Sequence, residues 1–156
     1  MYLFLVTMHV LSAMFWVGGN LFFVFVCFPV LRKQKFLEIQ FELLKEIALG
    51  FRKVSYSLFI ILVLTGIGIL ESRWGGMRII LNNHILQIKL FLFSILILFS
   101  IYHDFYSGPK VFDYKDKNET LYQKYKKISS FFGRINFLLS FLIGILGVLL
   151  SRGFVF

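Results

Sequence analysis

Four residues of this chain combine reactive chemistry with an apolar setting: His9, His84, Lys89 and His103. His9 sits inside the run Met1 to Asn20, and Lys89 and His103 sit inside a later run of the same character, with His84 at its edge. An imidazole or ammonium in hydrocarbon is costly unless it is paired, metallated or turned toward a sheltered cavity. Imidazole nitrogen suits haem iron and copper, and the thioethers of Met8 and Met77 suit Cu(I). An ammonium can hold an anionic group. These groups are not scattered at random. His9, Ala13, Trp16 and Asn20 fall on one helical face, as do Lys89, Phe93, Leu96, Ser100 and His103, and again Asn136, Ser140, Gly144, Gly147 and Ser151. Three such stripes predict helices that turn their polar faces toward one another and away from lipid. Gly18, Gly19, Gly66, Gly68, Gly144 and Gly147 are expected to allow close approach.

The elements that carry these residues follow from composition. Of 156 residues, 58% are hydrophobic, 19% aromatic and 16% charged, whereas a soluble domain averages about 25% charged. An integral membrane protein with one compact domain is expected: an all-α, four-helix bundle. A span needs about 20 apolar residues, which places helices near 2–31, 54–70, 85–106 and 131–150. Gly108-Pro109 reads as the stop of the third helix and Ser129-Ser130 as N-caps of the fourth. Between the first two, Phe36, Ile39, Leu43, Leu44, Ile47 and Phe51 recur at helical spacing, predicting an amphipathic cytoplasmic helix that lies on the membrane or extends helix 2. No repeat of 20–50 residues is visible.

The net charge of +9 does not point to nucleic acid, because the basic residues are segregated. Six lie between Arg32 and Lys53 and seven between Ser107 and Arg134, against Arg73 and Arg78 in the middle connection. Both basic loops are therefore expected in the cytoplasm and both termini outside. The N-terminus lacks a basic leader and reads as a retained helix. Asn118-Glu119-Thr120 matches a glycosylation pattern on the predicted cytoplasmic side and carries no weight. The single Cys27 excludes an internal disulfide and reads as a small buried residue.

Depth sorts the candidates into two groups. An outer group would hold His9, Lys89 and His84, with Met8, Met77 and Glu71 nearby, and an inner group would hold Asn20, His103 and Asp104. At about 1.5 Å rise per residue, His9 and His103 are too far apart along the membrane normal to share one ion.

At these residues the chain resembles the copper-resistance-D (CopD)-like membrane family. The matching pieces are His9 through Trp16-Val-Gly18-Gly19, Phe28-Pro29-Val-Leu-Arg32, Phe51-Arg52 with Leu64-Thr65-Gly66, and Lys89-Leu90. They continue with His103-Asp104-Phe105 to Gly108-Pro109-Lys110 and Gly133-Arg134-Ile-Asn136 to Ser151-Arg152-Gly153. More distantly it is similar to HemJ-type protoporphyrinogen oxidases in His9, Trp16, Lys89-Leu90 and Tyr102-His103, although Gln87 stands where that pattern has histidine. The first resemblance implies copper transport or tolerance in a bacterial-type inner membrane, with copper as cargo bound by His9, His84 and Met8 and a periplasmic copper carrier as partner. The second implies bound haem b and membrane redox chemistry, with His9, Trp16, Asn20, Lys89 and His103 around the cofactor and a respiratory-type partner. An accessory subunit of a larger membrane complex and a homo-oligomer are the other readings.

Overall fold

The computed structural model describes residues 1–36 and 38–153. Among these the chain is helical, with four helices long and apolar enough to cross a bilayer: α1 (Tyr2–Leu31), α2 (Gln40–Trp74), α3 (His84–Tyr114) and α4 (Glu119–Ser151). They form two compact units, Met1–Asn83 and His84–Phe156. Each unit is a helical hairpin with a basic turn at one end and the helix termini at the other, here called its open end.

The first span agrees with expectation, but the other three run past their expected limits. The amphipathic segment before residue 54 is no separate element: from Gln40 it forms the first turns of α2, a rod of 35 residues. At 1.5 Å per residue such a rod is about 50 Å long and must project beyond a hydrocarbon core of about 30 Å. Its far end is closed by Gly75, whose φ of 71° lets its N–H reach the carbonyl of Leu70. Ser129 and Ser130 do not cap α4. The helix starts ten residues earlier, where the Asn118 side chain accepts a hydrogen bond from the Leu121 amide at 3.0 Å.

Gly108-Pro109 does not stop α3 either. The five residues His103–Ser107 form a π-helical turn, after which Gly108–Tyr114 is α-helical again. Proline lacks an amide hydrogen and clashes with the carbonyl one turn back. A π turn relieves this by inserting one residue, so that the Gly108 amide bonds to His103 across five residues. The same solution appears in α1, where Phe23–Cys27 forms a π turn immediately before Phe28-Pro29.

Both hairpins invert the burial pattern of a soluble protein. Phe25, Phe91 and Leu64 are each more than 60% exposed, while Ser12, Ser55, Thr65, Ser100, Ser107, Asn136 and Ser140 are buried. Apolar side chains outside and small polar ones inside suit a lipid solvent, where association depends on close packing and interhelical hydrogen bonds. Gly19 lies under the Phe51 ring, where an added Cβ would come within 2.5 Å, and Gly68 sits against Leu5. Gly18 and Gly144, expected at helix contacts, meet nothing within 4 Å. Gly18 is turned about 100° from Gly19 on α1 and faces outward.

The hairpins also share a register. The two π turns and their prolines fall at matching positions, and so do buried Cys27 and Ser107. Counting back from Pro29 and Pro109, His9 corresponds to Lys89, Trp16 to Leu96 and Asn20 to Ser100. In the second helix of each pair, Phe51-Arg-Lys-Val-Ser55-Tyr-Ser-Leu58 corresponds to Phe132-Gly-Arg-Ile-Asn136-Phe-Leu-Leu139, and Gly66 to Gly147.

Candidate functional site

In the first hairpin the chemistry centres on His9. Its Nδ1 lies 2.8 Å from Oγ1 of Thr65 on α2. The Thr65 hydroxyl has one hydrogen, and it is directed at the Ile61 carbonyl at 2.6 Å, with Leu62 a longer alternative at 3.3 Å. Thr65 therefore accepts, and His9 Nδ1 donates. In its neutral form the ring then keeps its lone pair on Nε2, the nitrogen that a metal would use. A protein acceptor on one ring nitrogen fixes the tautomer and orientation of a metal-ligating imidazole. Beside the ring stands Gly66: a Cβ there would lie 3.6 Å from His9 Cε1. The helices thus supply an oriented, half-buried imidazole with no side chain at residue 66 against its edge.

About two turns below, Trp16 is buried between Phe51, stacked at 5.7 Å, and Phe59, at 4.5 Å. Phe23 closes on Phe51 at 4.9 Å. This aromatic cluster fixes the spacing of α1 and α2. Asn20, on the same face, donates from Nδ2 to the Trp16 carbonyl at 2.8 Å. Met8 precedes His9 on α1 and points about 100° away from it.

In the second hairpin Lys89 takes the place of His9. Its ammonium nitrogen lies 3.5 Å from the position a Cβ on Gly147 would occupy, so the side chain folds onto α4. His84, the first residue of α3, is exposed, with Nδ1 3.2 Å from Gln87 Oε1. Toward the basic turn, His103 is held at both ring nitrogens. Nδ1 lies 2.8 Å from Asp104 Oδ1 and Nε2 3.0 Å from Ser129 Oγ. The carboxylate can only accept, so Nδ1 donates and, in the neutral ring, Nε2 accepts from the serine hydroxyl. His103 is therefore a strap between the π turn of α3 and the body of α4. Above it Asn136 Nδ2 donates to Ser100 Oγ at 3.3 Å.

The structure pairs His103 with Asp104 as expected and adds Ser129. Asn20 belongs to the first hairpin and bonds within its own helix. Among the described residues no group of three or more His, Cys, Asp and Glu side chains could hold a metal ion. The partner that sequence reasoning did not assign to His9 is Thr65, which it named only within the matching segment Leu64-Thr65-Gly66. Its one signal was a hydroxyl beside glycine in an otherwise apolar run.

No family model matches the chain, and no solved structure matches it. It is similar to a protein of Aquifex aeolicus (strain VF5) described only as an uncharacterized protein, with 31% identity over 150 residues. That match covers 94% of this chain and 93% of the relative. A resemblance of that extent, running through both hairpins, places the chain in the same family as the Aquifex aeolicus protein.

Proposed function

We propose that the chain is a CopD-like metal-handling protein of a bacterial-type inner membrane, with both termini outside and both basic turns in the cytoplasm, and that it binds its metal through His9 Nε2. The observation that carries this reading is the His9–Thr65 hydrogen bond, which commits Nδ1 to a protein acceptor and so fixes the tautomer and orientation of the ring. The charge segregation supports the orientation.

Haem b is the form of the metal that the geometry favours. A single imidazole, oriented from behind by a hydroxyl and flanked by a glycine instead of a side chain, would suit ligation of haem iron. His9 would ligate the iron, Thr65 would hold the ring, and a bound haem would supply one-electron chemistry that the side chains lack. The chain's own part is to orient the imidazole and to keep the site in an apolar span. Copper is the second reading. It is supported by exposed His84 at the open end of its hairpin, where a periplasmic carrier would deliver an ion, and by the softness of the Met8 thioether for Cu(I), although Met8 is turned about 100° from His9 on the helix.

The test is a visible spectrum and a metal analysis of the full chain purified in detergent. A Soret band with reduced α and β bands, lost in His9→Ala, supports haem. A colourless protein that takes up Cu(I) and loses it in His9→Ala supports copper handling. A protein that does neither, or that binds either group equally well without His9, overturns the proposal and leaves the accessory-subunit reading.

A further inference from the structure

The shared register makes position 89 the second copy of position 9, and Gly147 the second copy of Gly66. What differs is the occupant. Thr65 corresponds to Leu146, so the second copy has no hydroxyl to orient a ring, and it carries an ammonium in place of an imidazole. That ammonium lies six residues into α3, about 7–9 Å along the helix from its open end. Between His84 and His103, and between Thr120 and Ser151, there is no Asp or Glu. Among the described residues no hydrogen bond or ion pair reaches the Lys89 nitrogen. A cation at this depth is costly without a compensating group, and these stretches of its own hairpin supply no carboxylate.

We propose that Lys89 over Gly147 is a binding site for the carboxylate of an amphiphilic ligand, whose acid group meets the ammonium while its apolar body remains among the lipid chains. The glycine matters because an added Cβ at 147 would already touch the ammonium, 3.5 Å away, and a larger side chain such as leucine would occupy the space beside it. A carboxylate fits better than a phospholipid phosphate because it can be carried below headgroup level on a single chain. The site does not depend on metal at His9.

The test uses the full chain in phosphatidylcholine vesicles, with stearate spin-labelled near its carboxyl end as the probe and its methyl ester as the control. The acid is expected to show a motionally restricted population that the ester lacks. Lys89→Met should weaken that population at least about tenfold, in line with loss of a hydrogen bond to a charged group. Lys89→Arg should retain it, and so should His9→Ala, which separates this site from the metal reading. Gly147→Leu should remove it while Lys89 is still present. Equal restriction of acid and ester, or a Lys89→Met protein that holds the acid as well as the parent, overturns the proposal. Displacement of the probe by phosphatidic acid but not by unlabelled stearate overturns it as well, since the ligand would then be a phosphate headgroup.

Discussion

The two hairpins solve the same packing problem and use the result differently. Each has a π turn before a proline, small buried polar residues along the seam and a glycine opposite the polar residue near the open end. In the first, that polar residue is an imidazole whose donor nitrogen is taken by Thr65. In the second, it is an ammonium with leucine behind it, and the imidazole near the basic turn, His103, has both nitrogens taken by Asp104 and Ser129. The lesson is that a histidine's role depends less on its burial than on which nitrogen its neighbours consume. His9 and His103 are both half-buried, yet His9 is oriented by Thr65 at Nδ1, whereas His103 is strapped at both nitrogens by Asp104 and Ser129.

The sharpest break in this comparison is His9→Ala set against His103→Ala. The first should abolish metal or haem binding in detergent, and the second should leave it intact. Equal losses would mean that the hydrogen-bond partners of the two rings do not set their roles. Next in size is Thr65→Val, which keeps the shape and removes the acceptor. Metal affinity should fall about 10–100-fold, as for loss of other groups that orient a ligating histidine, read by titration of the metal-free protein. Transplanting the pair tests the shared register directly. In Lys89→His with Leu146→Thr, nitrogen NMR of the metal-free protein should show an additional histidine with its hydrogen on Nδ1. A ring with the hydrogen on Nε2 would show that positions 9 and 89 are not equivalent.

Smaller effects concern stability. Gly19→Ala forces a carbon against the Phe51 ring and should cost about 1–3 kcal/mol, whereas Gly18→Ala on the outward face should be neutral. Reversible unfolding in mixed micelles would measure both. Ser129→Ala should cost about 1 kcal/mol, in the range of interhelical hydrogen bonds in membranes, with no change in the metal spectrum.

Much of this was legible in the sequence, and the failures have physical causes. Spans followed from hydropathy, and Trp16, Ser100, Asn136 and Ser140 of the three stripes are buried because small polar residues in lipid are placed inward, whereas Gly144 and Ser151 of the third stripe are exposed. Helix ends were misjudged where a local signal was overruled. Pro109 signals a break, but a one-residue expansion of the helix absorbs it. Ser129 signals a cap, but nothing interrupts the helix between Glu119 and Ser129, and its hydroxyl serves His103 instead. Thr65 entered only as part of the Leu64-Thr65-Gly66 match and not as a site residue, because a threonine in a helix can satisfy itself on its own preceding carbonyl. The structure shows that it does so and still accepts from His9.

The five-residue bulges ahead of Pro29 and Pro109 have an implication for how the molecule tolerates length changes. Each holds one surplus residue, so excising one from Phe23–Cys27 or His103–Ser107 would rewind that stretch and swing everything beyond it by about 100°. Polar groups near the open ends would keep their bearing, while the basic connection below would be carried to another side of its hairpin. These bulges are therefore the joints at which the lower segments can be re-aimed without disturbing His9 or Lys89.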